Sequence, residues 1–348
     1  MRSEDIAKLA GVSRSTVSRV MNNYPNVPEE THRKVMKVIE QYRYEPNTSA
    51  RVLAGKGTNT IGLFVVSIAD RQSSNRIYQN NYFAPFVDAI VDTANSLGYY
   101  VLIHTVYTQE DFAKVRQAFL QRRIDGGIIV GTQTNIAMVR EIAGLQAPFI
   151  LIDYDVSEIT DNQLDQNYMS IINTDDYAGA KEAVAHLISL GHREIAMIAG
   201  RANTYSGRQR FQAYVDTLQA HDIPFKESYV LTGEFLKQKA YDEVKRLIRN
   251  GERPTAIFSA NDDMAIAAME ALREEGLHVP DDVSIIGFDD VPVADQLAPR
   301  LTSVRLPLYE MSKEAVHTVT AMCERRQVAF HTVQFPTKLM IRESCKEL

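Results

Sequence analysis

From Thr60 onward the chain alternates short apolar runs with stretches of helical periodicity, and this alternation constrains the fold more than any other feature. Ile61–Ser67, Tyr100–His104, Gly127–Val130, Phe149–Asp153 and Ser170–Asn173 have strand length and strand character. So do Glu194–Ile198, Tyr229–Leu231, Ala256–Ser259 and Val283–Gly287, while Phe86–Leu97, Ala178–Leu190 and Ala265–Glu275 read as helices between them. Strand–helix alternation at this spacing predicts an α/β protein with doubly wound parallel sheets and helices on both faces. A weak repeat suggests two such units: Asn95-Ser96-Leu97-Gly98-Tyr99 is echoed by Ile188-Ser189-Leu190-Gly191-His192, each with a glycine placed to end a helix.

The first sixty residues follow another pattern. Ile6, Leu9 and Ala10 suggest a short helix that Gly11-Val12 breaks. Ser13 is a suitable N-cap for a second, with Val17, Val20 and Met21 on one face and Arg14, Ser15, Ser18, Arg19 and Asn22 on the others. Pro28-Glu29-Glu30 opens a third that runs to about Arg43, before Pro46. Two short helices joined by a glycine turn and braced by a third make a helix-turn-helix head, whose second helix can enter a major groove. Arginine bonds guanine bidentately and serine bonds several bases, so Arg14, Ser15 and Arg19 suit base contacts, with Ser13, Thr16, Ser18 and Asn22 beside them. A plain helical bundle with a solvated polar face would have the same spacing.

Charge supports the division. Residues 1–60 hold ten basic and six acidic side chains, a net of +4, which leaves −10 for the rest of a chain whose formal charge is −6. Positive charge is concentrated where phosphate contact would need it. There is no apolar signal-like segment after Met1 and no run of 18 apolar residues, so the expectation is a cytoplasmic protein without a membrane partner. Cys323 and Cys345 offer neither a disulfide framework nor a zinc motif. HExxH, GxSxG and GxxxxGK[ST] are all missing from the sequence, and no cofactor, metal or catalytic residue is expected.

Ile6-Ala7-Lys8-Leu9-Ala10-Gly11-Val12-Ser13-Arg14-Ser15-Thr16-Val17-Ser18-Arg19-Val20-Met21-Asn22 closely resembles the opening of the lactose-repressor (LacI/GalR) family of transcription regulators. Tyr44-Glu45-Pro46-Asn47 and Leu53-Ala54-Gly55-Lys56 resemble its hinge segment, and the likeness continues through nearly the whole chain. The resemblance implies a DNA-binding head at 1–46, a hinge at 47–59 and a periplasmic-binding-protein-like body at 60–348. In the body, 60–173 and 306–331 would form one half, and 174–303 and 334–345 the other. Three crossings would link them, near Asn173-Thr174, Ser303–Leu306 and His331–Phe335. The hinge helix would fold on DNA, with Leu53 wedged into the minor groove, Ala50 and Ala54 small enough to let the backbone approach, and Asn47, a cap at its start, among the DNA-binding residues.

Ligands of doubly wound sheets lie at the carboxyl ends of strands, which points to Asp153 and Asp155, Asn261-Asp262 and Asp289-Asp290. Helix capping or loop bonding would explain Asp262 and Asp290 equally well. The resemblance implies effector contacts from Arg210 in Arg210-Phe211-Gln212-Ala213-Tyr214, from Asp289 in Gly287-Phe288-Asp289-Asp290, and from Asn261. It also implies aromatic walls from Phe235 and from Tyr82 and Phe83 of Asn81-Tyr82-Phe83. Arginine, carboxylates and aromatic rings suit a sugar or sugar phosphate, although a purine could use the same set. Arg71, Arg76 and Tyr78, in a long loop over Ala69–Asn80, could serve a phosphate or a longer saccharide. The expected partners are a pseudo-palindromic operator, a small effector and a second copy in a homodimer, there being no heptad tail after Ser344 for a tetramer. A phosphorylated carrier protein could dock on Tyr309–Arg326, where burial of Met311, Ala315 and Val319 would instead mark an ordinary packing helix. The rival functions are a sugar receptor without DNA binding, and an enzyme.

Overall fold

A computed structural model describes residues 1–21, 24–44, 57–66, 81–131, 136–324 and 330–348. Two compact units emerge, Met1–Thr58 and Asn59–Leu348.

Among its described residues the first unit has three helices, α1 (Ser3–Ala10), α2 (Arg14–Met21) and α3 (Glu29–Tyr42). Ser13 Oγ accepts the Thr16 N–H at 3.1 Å and so caps α2. Pro28 precedes α3, and Arg43 ends it in the left-handed region at φ 47°. Ile6, Ala7, Val17, Val20, Val35 and Tyr44 meet in a small core.

Among its described residues the second unit contains two six-stranded sheets. Its elements begin with β1 (Thr60–Val66), α4 (Phe83–Ser96), β2 (Tyr100–Val106), α5 (Gln109–Leu120), β3 (Gly126–Val130), α6 (Ile136–Ala143), β4 (Phe149–Ile152), α7 (Val156–Asp161) and β5 (Met169–Thr174). They continue with α8 (Asp176–Ser189), β6 (Ile195–Ala199), α9 (Tyr205–Ala220), β7 (Val230–Thr232), α10 (Lys237–Arg249), β8 (Ala256–Ser259) and α11 (Asp262–Glu274). β9 (Ser284–Asp289), β10 (Thr302–Arg305), α12 (Leu308–Cys323), β11 (Thr332–Phe335) and β12 (Lys338–Met340) complete it. The first sheet runs β11-β5-β4-β3-β1-β2 and the second β12-β10-β9-β8-β6-β7.

Alternation along β1 shows how the first sheet is held. Ile61, Leu63 and Val65 join a core with Phe86 and Ile90 of α4 and Met311, Ala315 and Val319 of α12. Phe64 and Val66 turn to the other face, against Val115 of α5 and Val139 of α6. Both faces of β1 are thus covered, as an interior strand of a parallel sheet requires, while the edge strand β2 leaves Tyr100, Leu102 and Ile103 exposed. A separate core holds the second half together. The echoed glycines, Gly98 and Gly191, follow their helices with φ of 77° and 93°, where a side chain would be strained.

The chain crosses between halves after β5, between β10 and α12, and between β11 and β12. Gln334 and Phe335, assigned above to the second half, instead end β11 and pair with Asn173 and Thr174 in the first sheet. β12 was not anticipated, and it makes the second sheet mixed because it pairs antiparallel to β10. Three residues are too few to show a period.

Candidate functional site

The carboxyl ends of both sheets open onto one cleft of about 950 Å³, including its mouth. Tyr82, Phe83, Asp153, Arg210, Phe235, Asn261 and Asp289 all line it. They come from the N-terminal end of α4, the ends of β4 and β9, the second turn of α9, and the segments following β7 and β8.

Arg210 is 4% exposed and lies at the centre of the polar groups. Its Nε donates to Asp176 at 2.8 Å and its Nη2 lies 2.7 Å from the same carboxylate. Nη1 donates to the Ala260 carbonyl and lies 3.4 Å from Asp289. The guanidinium covers the Phe288 ring at 3.8 Å and stands 5.8 Å from Phe235. Thr174 donates to the other Asp176 oxygen at 2.7 Å. Burial pushes Asp289 well above the usual carboxylate range, although Arg210 pulls it back. The Phe235 ring occupies the space that a Cβ on Gly200 would take.

Asp153 spans the cleft. It accepts from the Ser206 N–H at 2.8 Å and the Ser206 hydroxyl at 2.9 Å, so the loop after β4 is tied to the start of α9. Burial first, and then the negative charge of Asp176, raise its pKa to about 7, against the bonds from Ser206 and the charge of Arg210. Arg208 reaches Asp155 at 2.9 Å beside it, and Asn81 donates to Asp263 at 2.6 Å elsewhere between the halves. Tyr82 lies edge-on to Phe83 at 5.1 Å, and burial pushes its phenol far above the ordinary value. Asp153, Phe235 and Asp289 all have positive φ, at 59°, 61° and 108°. Backbone strain concentrated in this way is common at ligand sites.

In the head, Ser13, Arg14, Ser15, Ser18 and Arg19 are exposed and Thr16 half-exposed, while Val17 and Val20 are buried. Arg14 lies 3.3 Å from Glu4, whereas no ion pair holds Arg19 among the described residues. Asn22, Asn47, Ala50, Leu53 and Ala54 fall outside the described residues, as does the loop carrying Arg71, Arg76 and Tyr78.

Comparisons with known proteins place both units. Residues 4–47 match the model for bacterial regulatory proteins of the lacI family, and residues 184–345 match a periplasmic binding protein-like domain. The chain is 33% identical over 347 residues to the probable HTH-type transcriptional repressor ExuR of Bacillus subtilis, covering 99% of this chain and 98% of that protein. The chain belongs to the LacI family.

As a LacI-family protein it is a DNA-binding transcriptional regulator. The regulator DegA of Bacillus subtilis is 34% identical over 99% of the chain and 98% of its own length. Among solved structures, the lac repressor dimer bound to operator and the anti-inducer ONPF is similar, at 27% identity with 99% of each chain covered and a TM-score of 0.79. The regulator CelR in complex with cellobiose gives 26%, the same coverage and 0.74.

Three acids at strand ends have work elsewhere in this LacI-family body. Asp262 accepts from Val291 N–H at 2.8 Å and from Ser303 at 2.6 Å, and Asp290 lies 2.6 Å from Arg305 and 2.7 Å from Arg342. Asp155 caps α7 through Ser157 N–H. Sequence reasoning missed Asp176, Arg201, Thr204 and Ser206, which also line the cleft. Asp176 was within reach of the strand-end rule, since it stands two residues beyond β5. Ser206 carried no such mark, because its partner Asp153 lies 53 residues away.

Proposed function

We propose that this regulator is a homodimeric repressor of carbohydrate-utilisation genes whose operator affinity is switched by a sugar or sugar phosphate in the cleft between the halves of its body. Residues 1–46 read the DNA, 47–59 act as the hinge and 60–348 bind effector and partner subunit. The observation that carries the effector reading is the cleft itself. Buried Arg210, Asn261 and Asp289 offer donors and acceptors for hydroxyls, and Phe83 and Phe235 offer faces for a sugar's C–H surface. The cellobiose complex of CelR supports the same class.

Two heads related by two-fold symmetry read the half-sites of a pseudo-palindromic operator, and effector rearranges the halves so that the hinges change their grip. The shift cannot exceed the effector's differential affinity for the two states. No helix of the described residues is long and apolar enough to cross a membrane, and a DNA-binding regulator works in the cytoplasm. The cleft is a binding site without turnover; conversion of a bound sugar by purified protein would overturn that. Docking of a phosphorylated carrier on α12 is not adopted, because Met311, Ala315 and Val319 are spent on the core of the first half.

The test is thermal unfolding against sugars, sugar phosphates and purines, followed by operator release. A ligand at 100 times its Kd adds about 2.7 kcal/mol to the unit that binds it. A stabilising sugar that also shifts operator affinity is expected, and a purine hit without a sugar hit would replace the reading. In the head, Arg19→Ala should weaken operator binding by about 1–3 kcal/mol with loss of discrimination at one base pair. An equal loss on every DNA sequence, read by fluorescence anisotropy, would make Arg19 a phosphate contact instead.

A further inference from the structure

The head carries one contact that its three-helix core does not require. Arg14, the first residue of α2, donates from Nη1 to Glu4 of α1 at 3.3 Å. Both side chains stay largely in solvent, at 66% and 55% exposure, so the pair adds little to stability. Nor is Arg14 the partner that helix geometry offers Glu4 first. Lys8 lies one turn along α1, with glutamate N-terminal to lysine, the better order for such a pair. Among the described residues no ion pair holds Lys8, and Asp5 is engaged at the helix start, accepting the Arg2 N–H at 2.8 Å. The first turn of α2 is fixed from its other side as well. Ser13 Oγ accepts the Thr16 N–H and lies 2.7 Å from Ser15 Oγ and 2.8 Å from Thr16 Oγ1. This hydroxyl cluster sets the backbone at Arg14, and Glu4 sets the tip of its side chain.

A guanidinium has five N–H donors, and a single bond to Glu4 leaves enough for the two that a guanine edge accepts. Holding a long side chain in one place before DNA arrives removes much of the ordering cost of the contact. The carboxylate also changes what Arg14 is drawn to. Phosphate attracts net positive charge wherever it stands, whereas a base edge selects hydrogen-bond geometry. An acid beside Arg14 offsets the first attraction and leaves the second. We infer that Glu4 is a positioning residue for DNA reading, which holds Arg14 for a base edge and weakens its pull on phosphate. This role rests on Arg14 contacting a base, as its chemical type suggests, and it brings α1 into sequence choice.

Selection of the full-length protein against a randomised duplex library gives the preferred half-site and the preference at each base pair. Fluorescence anisotropy on that site, its single-base-pair variants and unrelated duplexes, across KCl concentrations, then reads affinity. Glu4→Gln keeps the shape of the side chain and removes its charge. It should lower discrimination at one base pair of each half-site by about three- to ten-fold. Affinity for unrelated duplexes should rise in the same variant, with a salt dependence at least as steep as the parent's. An unchanged preference profile in Glu4→Gln, shown to be folded by its unfolding transition, overturns the inference. So does a loss of discrimination that persists in full beside Arg14→Ala, because Glu4 would then act without Arg14. A loss spread evenly over the half-site, or a fall in affinity for every duplex, overturns it as well and marks Glu4 as structural. Unchanged affinity for unrelated duplexes overturns the effect on phosphate. Arg14→Ala with an unchanged profile overturns the base contact itself, and the role of Glu4 with it.

Discussion

The first half of the body meets the cleft with Val66, Val130, Ile152 and Met311, while the second meets it with Asp176, Arg210, Asn261 and Asp289. Both halves use one architecture, with strands ending at the same cleft. What differs is how their polar groups are compensated. In the second half a buried arginine gathers two carboxylates and a carbonyl, so each member depends on the others. In the first half β1, β3 and β4 end in core residues, and the polar groups beside them are Tyr82 and Asp153, the latter bonded across the cleft to Ser206. A shared fold thus sets where ligand contacts occur, and the side chains at the strand ends set what kind they are.

The largest break in that contrast should come from Arg210→Ala. Two buried carboxylates lose their cation, so the body should lose about 3–5 kcal/mol, read by urea unfolding, together with its ligand response. Operator binding without ligand should survive if the chain is folded, and a normal ligand response would refute the assignment of Arg210. Met311→Ala tests the opposite wall. It removes an apolar side chain that is 2% exposed and should cost about 2 kcal/mol, with a loss of affinity that does not vary with ligand charge. A charge-dependent loss there would erase the distinction between the walls.

The smallest effect is a slope with pH. Asp262 is fully buried in the second half; burial raises its pKa from 3.8 to about 7, with Asp290 and Asp263 adding to the rise and its bonds from Ser303 and Val291 opposing it. The folded state therefore holds this proton where the unfolded chain has lost it. Its contribution is complete below about pH 4, falls as pH rises towards 7 and is flat above, at no more than about 1.4 kcal/mol per pH unit. Asp262→Asn should flatten the stability profile in that window, and an unaltered slope would show that Asp262 ionises normally. Asp153, raised to about 7 in the same direction, adds to the slope that remains in the variant.

The contrast between the walls was only half legible beforehand. Arg210, Asn261 and Asp289 stand in recognisable motifs, and Phe235 and Tyr82-Phe83 in recognisable positions, so those residues could be named. Asp176 was passed over because its stretch read as a crossing between halves, although it lies at a strand end like Asp153 and Asp289. The apolar wall could not be separated from ordinary core: Val66, Val130 and Ile152 end strands whose other residues are just as hydrophobic. Met311 was read as a packing residue, and it also reaches the cleft.

Sequence by itself determined the periodicities: helices with buried stripes in the head, short apolar strands and capped helices in the body, and the motifs that identify the family. These are local, because helix and strand periods and caps are written within a few neighbouring residues. Tertiary structure decided which distant groups share a site. It paired Asp153 with Ser206 and Arg210 with Asp176, and it gave Gln334 and Phe335 to the first sheet. It also sorted Asp289 into the cleft and Asp262 and Asp290 into structural bonds. These choices depend on chain crossings and on which carboxylate finds a donor once water is excluded, and spacing along the chain records neither.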